Sequence, residues 1–171
     1  MATTFTKIAS VAVGAGGAST IDFSSIPSTY TDLVVKISAR ATYAANFQDI
    51  NLRFNGSSTG YSSRLLQGDG SAAASYNNAS GALVWAANSV SANATASTFS
   101  NAEIYIPNYA GSNNKSLSTD AVTENNATAA YIQVSAGLWS NTSAITSMSF
   151  YLGAGTFVQY TTATLYGISK S

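Results

Sequence analysis

The chain contains no cysteine and no histidine. Without cysteine there is no disulfide framework, no thiolate nucleophile and no cysteine-ligated zinc. Without histidine the commonest general base and the commonest transition-metal ligand are missing together. Charge is scarce as well. Seven Lys/Arg and seven Asp/Glu make up 8% of the residues, against roughly 25% in an ordinary soluble domain. No Lys/Arg cluster exists to neutralise phosphates, which argues against nucleic acid and against an anionic membrane surface. A chain of zero net charge also gains little from like-charge repulsion against self-association. Long apolar runs are missing too: nothing approaches the roughly 18 residues of a membrane helix. The apolar part of the opening MATTFTKIASVAVGAGG is short, is broken by Ser10 and follows no basic cluster, so it does not read as a secretory signal. N-x-S/T sequons such as Asn55 and Asn126 are what chance gives in so Asn-, Ser- and Thr-rich a chain, and none is read as glycosylated.

What is present is β-pattern. Ser, Thr and Asn form about a third of the chain and supply a polar but uncharged surface. The best-patterned stretch is Ile21 to Arg40. Pro27 pushes Ile26 towards an extended backbone. From Asp32 to Ala39, Leu33, Val35 and Ile37 then point one way, and Val34, Lys36 and Ser38 the other. A period of two marks a strand with one face in a core, and this one is taken as central. Phe5–Val13 opens the chain as a strand, Gly14–Gly17 turns it, and Ser19–Phe23 is a short strand. Thr42–Gln48 reads as a loop or a single helical turn. Asp49–Asn55 alternates, Asn55-Gly56 is a strong turn dipeptide, and Tyr61–Gln67 is expected to return as the other arm of that hairpin. Ser71–Ser80 and Asn88–Ser97 are small-residue loops on either side of a strand at Ala82–Ala87. Further strands are expected over Phe99–Pro107, Lys115–Glu124, Ala129–Leu138, Ile145–Leu152 and Phe157–Ile168, with Asn108–Asn114 a hairpin-type loop and Glu124–Thr128 a turn. About ten short strands without helical periodicity predict an all-β, antiparallel β-sandwich. Jelly-roll connection is the expected form, with a simple meander as the alternative. No linker, charge run or compositional break divides residues 1–171, so one domain is expected, with residues 1–13 a possible N-terminal arm or strand.

Candidate chemistry is sparse. A serine nucleophile without histidine needs a lysine or an N-terminal amine, and Lys7, Lys36, Lys115 and Lys170 are scattered and read as solvated. The carboxylates Asp22, Asp32, Asp49, Asp69, Asp120, Glu103 and Glu124 could in principle pair for glycoside hydrolysis, but most fall at strand ends or turns, where they cap backbone. Calcium could draw on Asp69 with Asn77 and Asn78, or on Asp120 with Glu124, though neither spacing specifies a loop. Gly14–Gly17 precedes a strand and offers no helix N-terminus to an anion. The expectation is a non-enzyme with no catalytic, cofactor or metal site. Trp85 and Trp139 read as core or interface residues. The loop tyrosines Tyr43, Tyr61, Tyr76 and Tyr109 read as surface, either plain or in contact with a partner.

Taken together, IDFSSIPSTYTDLVVKISAR, INLRFNG, YSSRLLQGDGS, IYIPNYAGSNNKS and the closing FVQYTTATLYGI resemble a group of small tailed-phage virion proteins, over about Ile8 to Ile168. That group is similar to jelly-roll capsid decoration (cement) proteins. The resemblance implies a non-enzymatic structural protein of the virion, placed on the capsid surface. It would act as a homotrimer whose partner is the major capsid protein, with Met1–Val13 reaching over neighbours. The alternative it implies is a receptor- or glycan-binding domain of a tail fibre or head fibre, with a surface glycan as partner. It implies no functional residues.

Overall fold

The computed structural model describes residues 4–126 and 129–169. Among the described residues there is no helix, and so none that could cross a membrane. The described residues form twelve strands: β1 (Phe5–Ala12), β2 (Thr20–Phe23), β3 (Asp32–Ala39), β4 (Phe47–Phe54), β5 (Tyr61–Gly68), β6 (Ala73–Gly81), β7 (Val84–Val90), β8 (Ser100–Ile106), β9 (Lys115–Val122), β10 (Ile132–Trp139), β11 (Met148–Leu152) and β12 (Thr162–Ile168). They make two antiparallel sheets. One has eight strands in the order β1-β12-β3-β8-β9-β10-β5-β6, and the other has four in the order β2-β11-β4-β7. The chain is an antiparallel β-sandwich, as the alternation predicted.

The core lies between the sheets and follows from the period of two. Leu33, Val35 and Ile37 of β3, Ala102, Ile104 and Ile106 of β8, and Ala163 and Leu165 of β12 face Ile50, Leu52 and Phe54 of β4 and Met148, Phe150 and Leu152 of β11 in one buried cluster. β3 has the bounds its pattern predicted and lies inside the large sheet, between β12 and β8. Trp139 stacks on Tyr61 at 6.0 Å and lies 5.6 Å from Phe54, anchoring the β4–β5 connection. Residues 5–12 of the expected N-terminal arm pair along β12 as an edge strand, and Met1–Thr3 lie outside the described residues.

Besides shifted ends, of which the largest is a closing strand that begins at Thr162 rather than Phe157, four expectations need correction. The Asn55-Gly56 turn forms, with φ of 51° and 67°, but β5 is not the return strand of β4. β4 pairs with β11 and β7, while β5 pairs with β10 and β6 in the other sheet. The Asn55 side chain explains the divergence: Oδ1 accepts from the backbone N–H groups of Thr146 (2.9 Å) and Ser147 (3.0 Å), and so holds the segment that leads into β11. The chain then needs residues 57–60 to cross the roughly 10 Å between packed sheets. Secondly, most of Ser71–Ser80 is not a loop. It is edge strand β6, joined to β5 by a turn in which Asp69 Oδ1 accepts from the N–H of Ser71 and Ala72. An edge strand of small residues needs only one partner ladder, so no apolar alternation announces it. Thirdly, Asn88 to Val90 belong to β7 rather than to a loop. The remaining loop is held instead by Arg40, whose guanidinium donates to the carbonyls of Ala94, Thr95 and Thr98. Lastly, Phe47 and Gln48 already belong to β4, which starts before the expected Asp49. The Glu124–Thr128 turn falls partly outside the described residues.

Candidate functional site

The two sheets differ in width. β7 ends the small sheet and packs over β8, β9, β10 and β5, whereas the large sheet continues past it to the edge strand β6. At that step the inner face of the large sheet changes character. Under the middle of the small sheet it is apolar, but where β10 and β5 run out from beneath β7 it carries Ser63, Gln67, Gln133 and Ser135, with Leu65 and Tyr76 among them. The result is an open groove of about 260 Å³. Gln67, Gln133 and Ser135 form its floor. Trp85, Ala87 and Asn88 of β7, with Phe47 and Asp49 of β4, form one wall, and Tyr76 stands on the opposite lip.

A hydrogen-bonded chain of side chains runs through it. Gln133 Nε2 donates to Gln67 Oε1 (3.2 Å). With its amide oriented so that Oδ1 accepts from Gln133 Nε2 at 2.9 Å, Asn88 donates through Nδ2 to Asp49 Oδ1 at 3.0 Å. Gln133 and Asn88 are buried, so their amides are held by packing as well as by these bonds. Burial pushes the Asp49 carboxyl above the usual carboxylate range. Two other contacts fix the walls. Phe47 packs edge-on against Tyr131 at 4.9 Å between centroids, and the Trp85 backbone N–H donates to Ser63 Oγ at 3.4 Å, tying β7 to β5. Tyr76 is 48% exposed, so its ring is open to a ligand.

The outer face of the same strands is its inverse. Leu66, Ile132 and Val134 stand 51%, 61% and 48% exposed. Val134 lies opposite Leu66, and Ile132 is diagonal to it across the β5–β10 ladder. Further along the sheet the face turns polar and charged: Val134 is followed across the ladders by Asp120, Glu103 and Lys36. Lys36 and Glu103 form an exposed ion pair at 2.6 Å.

The structure disperses the other sequence candidates. Asp22 accepts from Thr20 Oγ1 (2.6 Å) and from Ser149 Oγ, and Asp32 from Tyr105 OH and the Asn108 N–H, both at 2.9 Å. Asp69 caps its own turn, and Glu124 accepts from the N–H groups of Asn125 and Asn126. Among the described residues no three Asp or Glu side chains gather into a cation site. Lys115 is not solvated. It is fully buried, and its ammonium donates to the carbonyls of Gly111 (2.7 Å), Asn113 and Thr142 (3.4 Å). Burial lowers its pKa, and the carbonyl cage joins the β8–β9 loop to the loop after β10. Two of the four tyrosines are core residues. Tyr109 is buried and its hydroxyl donates to the Pro27 carbonyl, while the buried Tyr61 hydroxyl accepts from the Phe54 N–H at 2.8 Å. Tyr43 and Tyr76 remain exposed. Trp139 is core, as expected, but Trp85 lines the groove.

The molecule thus falls in the class of two-sheet antiparallel β-sandwiches, here with one sheet overhanging the other. Compared with protein-family models, with curated proteins and with solved structures, the chain finds a match in none of the three.

Proposed function

We propose that this chain is a structural virion protein without catalytic activity, a capsid decoration protein that binds the outer surface of a phage head and stabilises it as a homotrimer. The observation that carries the reading is the apolar strip of Leu66, Ile132 and Val134 on the outer face of the overhang. Three large aliphatic side chains about half or more exposed on one flat sheet surface are a signature of a contact surface rather than of a solvated face. The scarcity of charge fits permanent assembly. The connectivity supports the jelly-roll form of the fold: β1-β12-β3-β8 faces β2-β11-β4-β7, with the chain alternating between sheets, and β5-β6 and β9-β10 are two hairpins added to one edge. The major capsid protein is the partner this reading names.

The test is sedimentation with heads that lack the protein. Wild-type chain is expected to pellet with them and to saturate at hundreds of copies, in a multiple that fits the lattice. A Leu66→Ser, Val134→Ser double variant should keep its melting temperature, because exposed positions are usually within about 0.5 kcal/mol of neutral, yet stay in the supernatant. Absence of wild-type binding rejects decoration. Binding by the double variant at wild-type strength rejects the strip as the contact.

A further inference from the structure

The groove on the other side of the overhang has a different chemistry, and it stands apart from the decoration reading. A sandwich normally lines the inner faces of its strands with apolar side chains. Here β5 and β10 turn Ser63, Gln67, Gln133 and Ser135 inward while exposing Leu66 and Val134 outward. Two buried amides and a partly buried carboxylate are costly unless they are hydrogen-bonded. The Gln67–Gln133–Asn88–Asp49 chain satisfies them mutually and fixes their directions. Such a chain offers a ligand donors and acceptors side by side at one rim, because each amide carries both kinds and an ionised carboxylate accepts only. Flanking it are two aromatic side chains, Trp85 on one wall and Tyr76 on the facing lip. Aromatic faces carry negative charge density and attract polarised C–H edges.

From this juxtaposition we infer that the groove is a binding site for a neutral saccharide unit, with one sugar ring held against Trp85 and Tyr76 and its hydroxyls paired to Gln67, Asn88, Gln133 and Asp49. Hydroxyls that both donate and accept match the amide–carboxylate set, and the C–H face of a pyranose matches the rings. Among the described residues the lining contains no lysine or arginine, which disfavours uronic or sialic acids and phosphorylated ligands. About 260 Å³ is below the roughly 300–1,000 Å³ of clefts that enclose drug-sized molecules, so the site takes a ring or a chain end rather than a long oligosaccharide. Asp49 is the one carboxylate in the lining. Hydrolysis by a carboxylate pair would need two, so the site binds rather than cleaves.

The experiment is an amide and indole NMR titration of the ¹⁵N-labelled full chain. The probes are methyl glycosides of glucose, galactose, mannose and N-acetylglucosamine at millimolar concentration, with glucuronic acid and an extended uncharged peptide as comparators. At least one neutral glycoside is expected to shift the Trp85 indole and the side-chain amides of Gln67, Asn88 and Gln133, while the buried Trp139 indole stays in place. Tyr76→Ala, outside the hydrophobic core, should weaken that binding at least tenfold with unchanged melting temperature, and Gln67→Ala, which also removes an acceptor of the buried Gln133 amide, should weaken it at least tenfold with a somewhat lower one. The inference is overturned if no neutral glycoside moves these signals, if the shifts persist at full strength in both variants, or if only the acid or the peptide produces them. Neither result bears on sedimentation with heads, so the two readings fail separately.

Discussion

Asp49 shows how burial couples a side chain to pH. Its carboxyl lies in the groove wall with Oδ1 on the Asn88 amide, and burial raises its pKa. For a carboxyl whose folded pKa exceeds its unfolded value, the native state holds the proton longer. Its stabilising contribution is therefore complete below the unfolded value of about 3.9 and is lost as pH rises through the folded value. At neutral pH the ionised Asp49 is a net burden on the native state. Asp49→Asn keeps an acceptor for Asn88 and removes the charge. The variant is expected to melt a few degrees above wild type at pH 7, and the gap should close on acidification below about pH 4. Thermal melts across that range check it, and a gap that is absent at pH 7 or widens in acid would reject the burial account. Lys115 presents the same physics with a different solution. It too is buried, but three backbone carbonyls surround its ammonium, so the charge becomes a tie between two loops.

At the scale of the strand, close packing decides which residues are free to change. Gly137 of β10 sits between Leu117 and Ser63 in the ladders, directly under β7. A Cβ built there would meet Val84 Cγ1 at 2.8 Å and Leu117 Cγ at 2.9 Å. The missing side chain lets Val84 of β7 settle onto the large sheet. Gly137→Ala is expected to cost roughly 1–3 kcal/mol, the usual penalty for overpacking, as read by urea denaturation. A neutral or stabilising result would mean that Val84 and Leu117 can move aside. The strands also show what the sequence made legible. β3 carries Leu33, Val35 and Ile37 at every second position and its bounds follow from that, while Ala102, Ile104 and Ile106 mark β8 to within a residue at each end. β6 could not be read this way, because AASYNNASG has no apolar face to alternate. The groove was hidden for a related reason. In β10, alternation is real but inverted: Ile132 and Val134 look like the core-facing set, yet it is Gln133 and Ser135 that point inward. Periodicity tells that a strand has two faces, whereas which face is inner depends on where the opposing sheet ends. The tell-tale was Gln133 and Ser135 in β10 paired with Gln67 and Leu65 in β5, and it exists only once the register is known. For the same reason Asn55-Gly56 announced its turn but not its destination.

Across the whole molecule, the exposed aliphatic strip and most of the charge on the large sheet lie apart, with Arg64 bordering the strip, and this arrangement sets how the protein should respond to salt. The exposed aliphatic strip occupies the β10–β5 end of the large sheet, while Lys36, Glu103 and Asp120 lie towards its middle. Seven positive and seven negative charges on the chain leave no net field to steer or hold a partner. Exposed ion pairs such as Lys36–Glu103 are worth little and are screened by salt. If the strip of Leu66, Ile132 and Val134 forms the contact with capsid, attachment rests on burying apolar surface, a driving force that simple salt hardly weakens and that sulfate strengthens through exclusion from protein surfaces. Protein bound to heads is therefore expected to stay bound as sodium chloride is raised from about 0.05 M to about 1 M, over which the screening length falls to roughly 3 Å, and to bind more tightly in ammonium sulfate. Sedimentation of decorated heads across both salts measures this. Release in moderate sodium chloride would mean that charges make the contact, Arg64 beside the strip or Lys36 and Glu103 at the centre of the sheet, and would reject burial of the strip as the driving force.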